Sequence, residues 1–440
     1  MNLKKAHICR RDGREPDRSV LSITQSRTLN LFFTITVLGT FLGLLGMVLY
    51  YACAFAALSN GSHAFDWLLG IFSDFVAIMS ASLSRSPYLE VGASYPPLAI
   101  ALLYPFARIC RGVLTPYVGT SISVDALTSR VIGHPQFWIA YVLFFAICTS
   151  LILVAVRQRY PLPPLASLKR SVVIFLSTPF VYAVMRGNVI YFALIFLLIF
   201  LLWHDHENPV LRELSYLSLA LAGMIKLYPL FFGVYLLHKK RWLPSFRVGI
   251  YFVTGTLLSF FLYHAGLDNL SHFLAQLGGF MNEGDRLLSG VNLSLSSLLF
   301  KIFSLFPSST AIDEAYPYLN LILLLIVFFI ATVLAVFTRS DFSRSLIASS
   351  VVVLLPSISY FYVLIFTLIP FLEFLIICDS FSLRQRRFYS LCFLLLFFTP
   401  MILTKNFIFH SLTVILMLIT ESSRVVRNEL LPALSKKKRA

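Results

Sequence analysis

The chain has 440 residues, of which 58% are hydrophobic and 13% charged, and 42 are Phe. A water-soluble domain carries roughly a quarter of its residues as charged side chains, so a soluble globular fold is excluded. The net charge of +16 does not imply a nucleic-acid partner. The basic residues lie in short clusters between apolar runs: Lys4-Lys5-Arg10-Arg11, Arg157-Arg159-Lys169-Arg170, Lys239-Lys240-Arg241, Arg384-Arg386-Arg387 and Lys436 to Arg439. Such clusters accumulate in cytoplasmic loops, so the charge reports topology.

In chain order, residues 1–30 read as a basic cytoplasmic segment. Leu31–Ala57 follows without a charged residue; it is too long for the core of a cleaved signal peptide and reads as a retained span. Eleven further apolar runs follow: Gln136–Val156, Ser171–Met185, Val189–Trp203, Leu214–Ile225, Tyr228–Leu237, Val248–His264, Tyr318–Phe337, Leu346–Leu355, Tyr360–Ile377, Phe388–Leu403 and Phe407–Thr420. With both termini cytoplasmic the number of crossings is even. The expectation is an all-α polytopic membrane protein of about 12 transmembrane helices over 31–420, with a basic cytoplasmic tail at 421–440.

Several runs are shorter than the ~20 residues of a full crossing. Short or broken helices persist at membrane depth where they surround a buried or wet cavity. Pro96–Arg108 is also apolar and reads as a re-entrant or interfacial segment. The alternative makes it a further crossing, with Leu214–Leu237 as one broken span. Two long outer loops, about 58–135 and 265–317, mix apolar residues with Asp66, Asp74, Glu90, Asp125, Asp268, Glu283 and Asp285. Phe65-Asp66-Trp67-Leu68 through Leu83 reads as an amphipathic helix on the outer membrane surface.

Five short motifs stand in order: Ser73-Asp74-Phe75, Ser94-Tyr95-Pro96-Pro97, Arg186-Gly187-Asn188, Lys226-Leu227-Tyr228-Pro229 and Gly290-Val291-Asn292-Leu293-Ser294-Leu295. Together with the hydropathy profile they resemble glycosyltransferase family 87, whose members are polyprenyl-phosphate-sugar-dependent and have the C-type transferase fold. The resemblance covers Asp74 to Leu295 and departs in two places. Asn188 stands where the family often has Gln, and in Pro356–Val363 Tyr362 stands where a His is expected.

The resemblance implies transfer of one sugar, mannose above others, from a polyprenyl monophosphate to a lipid-linked or cell-envelope glycan. The reaction would be a direct displacement with inversion on the outer face of a bacterial inner membrane. In that reading Asp74 is the base that takes the acceptor's proton, with Asp66 and Glu90 as lesser candidates. Lys226 is an ionisable residue inside a span, a functional position by default, and would stabilise the departing phosphate. Arg186 is a second phosphate contact. Asn188, Asn292, Ser294, Tyr362 and Glu90 are candidate substrate contacts.

The plain alternatives are a solvated Asp74, a snorkelling Lys226 and a simple tight turn at Gly187-Asn188. The six cysteines are scattered without a metal or disulfide pattern, and no carboxylate cluster calls for a divalent cation. No cofactor or metal is expected. The rival functions are a lipid-sugar flippase or transporter, and a polysaccharide polymerase or ligase using a diphosphate-linked donor.

Overall fold

The computed structural model describes residues 22–57, 70–282, 284–305, 310–398 and 408–433. Among them the regular secondary structure is helical apart from one isolated antiparallel bridge between Asn292 and Tyr360. Each of the twelve apolar runs is found in a helix or a helix pair, from Ile23–Ala57 to Ile408–Val425.

Length divides these helices into two kinds. Four described segments are long and apolar enough to cross a bilayer: Pro135–Arg159, Ala315–Phe337, Phe361–Ser380 and Ile408–Ala433. Pro164–Phe175 and Thr178–Arg186, bent by 56°, make a fifth if they form one broken span. Ile190–Trp203 has 14 residues and Pro209–Ile225 has 17. At 1.5 Å per residue they extend only about 21 and 26 Å, less than a ~30 Å hydrocarbon core. The twelve runs are therefore helical over their described residues; four described segments, or five with the bent pair, are long and apolar enough to cross, and the full set of twelve crossings is not shown. Pro96–Arg108 is broken into Pro97–Leu102 and Tyr104–Ile109, six residues each, and neither reaches across a membrane.

The short helices share one pattern. Ile190–Trp203 begins beside Asn188 and ends at His204. Pro209–Ile225 packs along it in the opposite direction and ends at Lys226. At the far end Asp205 pairs with Lys239 and with Arg241, the latter at 2.9 Å. Burial alone would push the Asp205 carboxyl up, but the hydrogen bonds and charges of His204 and Lys239 outweigh it and hold it well below the usual carboxylate range.

Pro135–Arg159 has the same polarity. Its first turns, at Phe137, Trp138 and Tyr141, enclose the Phe72 ring with centroids 4.7–5.5 Å apart, and its last residue is Arg159. From Phe137 to Arg159 is about 33 Å of helix, the thickness of a bilayer core. The arginine end is only partly solvated: Arg159, Arg170 and Arg344 are buried. Arg344 donates to the Ala335 and Thr338 carbonyls and to Asp341. Arg170 donates to the Tyr160 carbonyl, and buried Glu373 accepts from Tyr160 and Ser345.

Ser73–Leu83 departs from the expectation of a surface helix. Its residues Ser73 to Val76 and Ile78 to Ser82 are buried. Its serines and alanines imitate an amphipathic pattern, but their small size lets other elements approach on several sides. They include Tyr104–Ile109, Val124–Val131 and Pro97–Leu102. Phe65 to Leu68 and Asp66 lie outside the described residues.

The contact that locates this helix is made by a glycine. Thr178–Arg186 ends in a left-handed Gly187, φ 63°. The Gly187 N–H donates to Val184 O, and the Asn188 N–H to Ala183 O, the paired bonds of a Schellman ending. A Cβ on Gly187 would lie 2.4 Å from Phe75 Cβ. Phe72, itself left-handed at φ 62°, donates its N–H to Met185 O at 2.6 Å. Both backbones turn sharply where they meet, which brings the residues beside Gly187 onto those beside Phe75.

Gly187→Ala should accordingly lower the melting temperature in detergent by several degrees. The left-handed backbone alone costs a non-glycine residue about 1–2 kcal/mol, and the Phe75 clash adds to it. An unchanged transition would contradict the close-packed turn. For topology, a single cysteine at Asp125, which is exposed and lies in the stretch expected to be the first outer loop, should react with an impermeant thiol reagent in intact cells. One at exposed Lys240 should react only after lysis, and labelling of Lys240→Cys in intact cells would reverse the assignment.

Candidate active site

Asp74 lies in the first turn of Ser73–Leu83. Its Oδ1 accepts from Arg186 Nη2 at 2.7 Å, and its Oδ2 from Arg186 Nε at 3.2 Å and Asn188 Nδ2 at 2.7 Å. Arg186 also donates to the Gly70 carbonyl at 2.9 Å. The pair is largely withdrawn from the surface, with the aspartate side chain 12% exposed. A carboxylate carries about four acceptor positions. Three are filled, and the open one is on Oδ1.

Asn188 acts in two directions. Its Oδ1 caps the following helix by accepting from the Ile190 N–H at 3.0 Å, the use expected of an asparagine at a helix start. Its Nδ2 reaches Asp74 and, at 3.3 Å, the Tyr95 hydroxyl. The structure therefore joins the Arg186-Gly187-Asn188 motif to Asp74 and to the tyrosine of the Tyr95-Pro96-Pro97 corner. Arg186 was expected to hold a phosphate; its guanidinium is instead committed to Asp74 in a bidentate pair.

Lys226 lies where Pro209–Ile225 ends, with extended backbone at φ −144° and ψ 126°. Pro229 then starts a 3-10 turn over Tyr228–Gly233. Leu230 folds back so closely that a Cβ on Gly223 would lie 2.5 Å from its Cγ. The break turns Lys226 inward. Its ammonium sits 4.4 Å from the Tyr95 ring centroid and 5.9 Å from that of Tyr362, cation–π geometry. Among the described residues it has no hydrogen-bond or ion-pair partner. Asp74 is the acidic group that acts on it through space, yet Asp74 is already neutralised by Arg186. The two cations and one anion leave one positive charge uncompensated, with aromatic faces around it.

Tyr362 stands at this site beside Lys226, stacked on Tyr182 with centroids 6.2 Å apart and planes at 26°. Tyr95 ties the two halves together, its hydroxyl toward Asn188 and its ring under Lys226. Its Tyr-Pro-Pro context was visible in the sequence, but nothing local marked it as the bridge.

The remaining expected contacts lie elsewhere. Asn292 donates to the Arg286 and Ser357 carbonyls at 3.2 and 3.3 Å, and accepts from the N–H groups of Ser294 and Ser359 at 3.1 and 3.0 Å. These bonds exhaust its amide. Ser294 donates to Ser357 O at 2.8 Å and caps Leu295–Phe303 by accepting from Ser297 N. Both fasten the 284–305 stretch to the 357–360 segment that leads to Tyr362. Glu90 is exposed, accepts from Ser84 Oγ and takes no part in the Asp74 cluster. Among the described residues no three His, Cys, Asp or Glu side chains are grouped as metal ligands.

The sequence matches the description "Glycosyltransferase family 87" over residues 94–367, more than half of the chain. The matched stretch contains Tyr95, Arg186, Asn188, Lys226 and Tyr362; Asp74 precedes it and joins them through Arg186 and Asn188. No curated protein and no solved structure matches the chain. An apolar helical chain that gathers a carboxylate and an unpaired ammonium around Tyr95, matched over residues 94–367, belongs to glycosyltransferase family 87 and is a glycosyltransferase of the membrane.

Proposed function

We propose that this chain transfers one sugar, mannose in the first instance, from a polyprenyl monophosphate to a lipid-linked or cell-envelope glycan, with its recess open to the non-cytoplasmic side. The observation that carries the reading is the nearness of a neutralised carboxylate to an ammonium that lies over the Tyr95 and Tyr362 rings and has no ion-pair partner among the described residues. Such a cation, held in a poorly hydrated place, is ready for an anion that arrives with the substrate. The phosphate of a lipid-linked sugar supplies that anion.

The chemistry follows from the same atoms. The acceptor hydroxyl attacks the anomeric carbon as the bond from that carbon to the phosphate oxygen breaks. The electron pair leaves with the phosphate, whose charge Lys226 offsets. The hydroxyl proton passes to the open position on Asp74 Oδ1. Arg186 and Asn188 fix the carboxylate's orientation, which makes them positioning residues. Attack opposite the leaving phosphate inverts the anomeric centre.

The polarity of the helices supports the outward orientation. The Asp74 cluster is at the start of Pro135–Arg159 and the arginine-rich end is about 33 Å away. Basic ends remain cytoplasmic, so the recess belongs to the opposite leaflet, where lipid-linked sugars are presented. The short helices that end at Asn188 and Lys226 stop part-way through the bilayer, which lets a lipid donor enter sideways.

Asp74→Asn should reduce transfer by about 10²–10⁴-fold, the usual contribution of a positioned base, with membrane insertion intact. More than a few per cent residual transfer would remove Asp74 from the role. Lys226→Ala should cost about 10²–10³-fold, the scale of deleting one charge-stabilising group. Lys226→Arg should restore only part of the loss, since a planar fork replaces a point charge. Equal activity of the arginine variant and the wild type would contradict the site's geometry.

A further inference from the structure

The Tyr228 hydroxyl is buried and has no hydrogen-bond partner among the described residues. Buried polar groups are almost always paired, so an orphan in a recess calls for an explanation. Tyr228 lies two residues after Lys226 and immediately before Pro229, in the segment clamped by the Leu230–Gly223 contact. Its ring meets Phe366 edge-on, with centroids 5.8 Å apart and planes at 83°. Its direction is thus set from both sides. Two residues before it, the Lys226 ammonium is flanked by the rings of Tyr95 and Tyr362.

We propose that the Tyr228 hydroxyl is a donor-sugar contact, and that with Tyr95 and Tyr362 it forms a tyrosine-walled subsite that discriminates between sugars by one ring hydroxyl. The inference rests on the lipid-phosphate-sugar reading above and deepens it. A phenol both donates and accepts a hydrogen bond, as a sugar hydroxyl does, whereas the phosphate charge is met by Lys226. Aromatic walls with a few placed polar groups are the usual make-up of a site that orients a small ligand. The sugar ring lies against the tyrosine faces, its anomeric carbon between Lys226 and Asp74, and one hydroxyl completes the Tyr228 pairing.

The test uses the full-length protein in membranes and five donors: polyprenyl-phosphate mannose and its 2-, 3-, 4- and 6-deoxy analogues. Tyr228→Phe should lower kcat/KM for the mannose donor at least tenfold, since a site built for a hydroxyl is left unpaired without it. With one of the deoxy donors the wild type and the variant should become equal, the signature of a direct pair in a double-mutant cycle. The melting temperature of Tyr228→Phe should stay level or rise, because the hydroxyl it removes has no partner among the described residues. A loss of the same size on every donor, no loss on any, or a clear fall in melting temperature would overturn the proposal. Failure of the wild type to use any of the five donors would instead overturn the donor reading, and the subsite with it.

Discussion

A carboxylate withdrawn from water in an apolar protein persists only when it is paired and hydrogen-bonded. Asp74 meets that condition through Arg186 and Asn188, which stand on either side of one glycine. The rest of the site depends on this contact. Because Gly187 is left-handed and has no side chain, the turn after Thr178–Arg186 can lie directly on Phe75. Both neighbours of the glycine then face the residue before Phe75. A bulkier residue at Gly187 would separate the turn from the helix and leave the carboxylate without its counter-charge.

The same constraint explains why the recess is cationic. Once Arg186 is spent on Asp74, the charge of Lys226 is left over, and the protein surrounds it with tyrosine faces instead of a carboxylate. Tyr95 makes the two charges one site, since its hydroxyl meets Asn188 while its ring supports the ammonium. At the far end of the same helices the arginines are treated differently. Arg344 is sealed against backbone carbonyls and Asp341, so charge is neutralised where it is structural and left open where a ligand is due.

Much of this was legible in the sequence because its signals are local. Long apolar runs give helices whatever their surroundings, and each of the twelve is helical over its described residues. Asp74, Arg186, Asn188 and Lys226 were singled out from short motifs, and the fold gathers them although 152 residues separate the first from the last. What failed depended on contacts between distant segments. Ser73–Leu83 looked like a surface helix because small serines resemble a polar face. Asn292 and Ser294 looked like sugar contacts because a polar pair in an apolar loop gives no hint that its partners are the backbone of 357–359. Arg186 was singled out as a phosphate contact, and nothing local showed that its guanidinium pairs with Asp74.

The central claim is that one recess holds both the base and the leaving group of a lipid-linked donor. The most direct measurement gives the purified protein in lipid vesicles two labelled donors, a polyprenyl-phosphate mannose and a nucleoside-diphosphate mannose, with a glycolipid acceptor, and determines the anomeric configuration of the product. Transfer from the lipid donor alone, with the anomeric centre inverted, is the predicted result. Transfer from the nucleotide sugar, or retention of configuration, would contradict it.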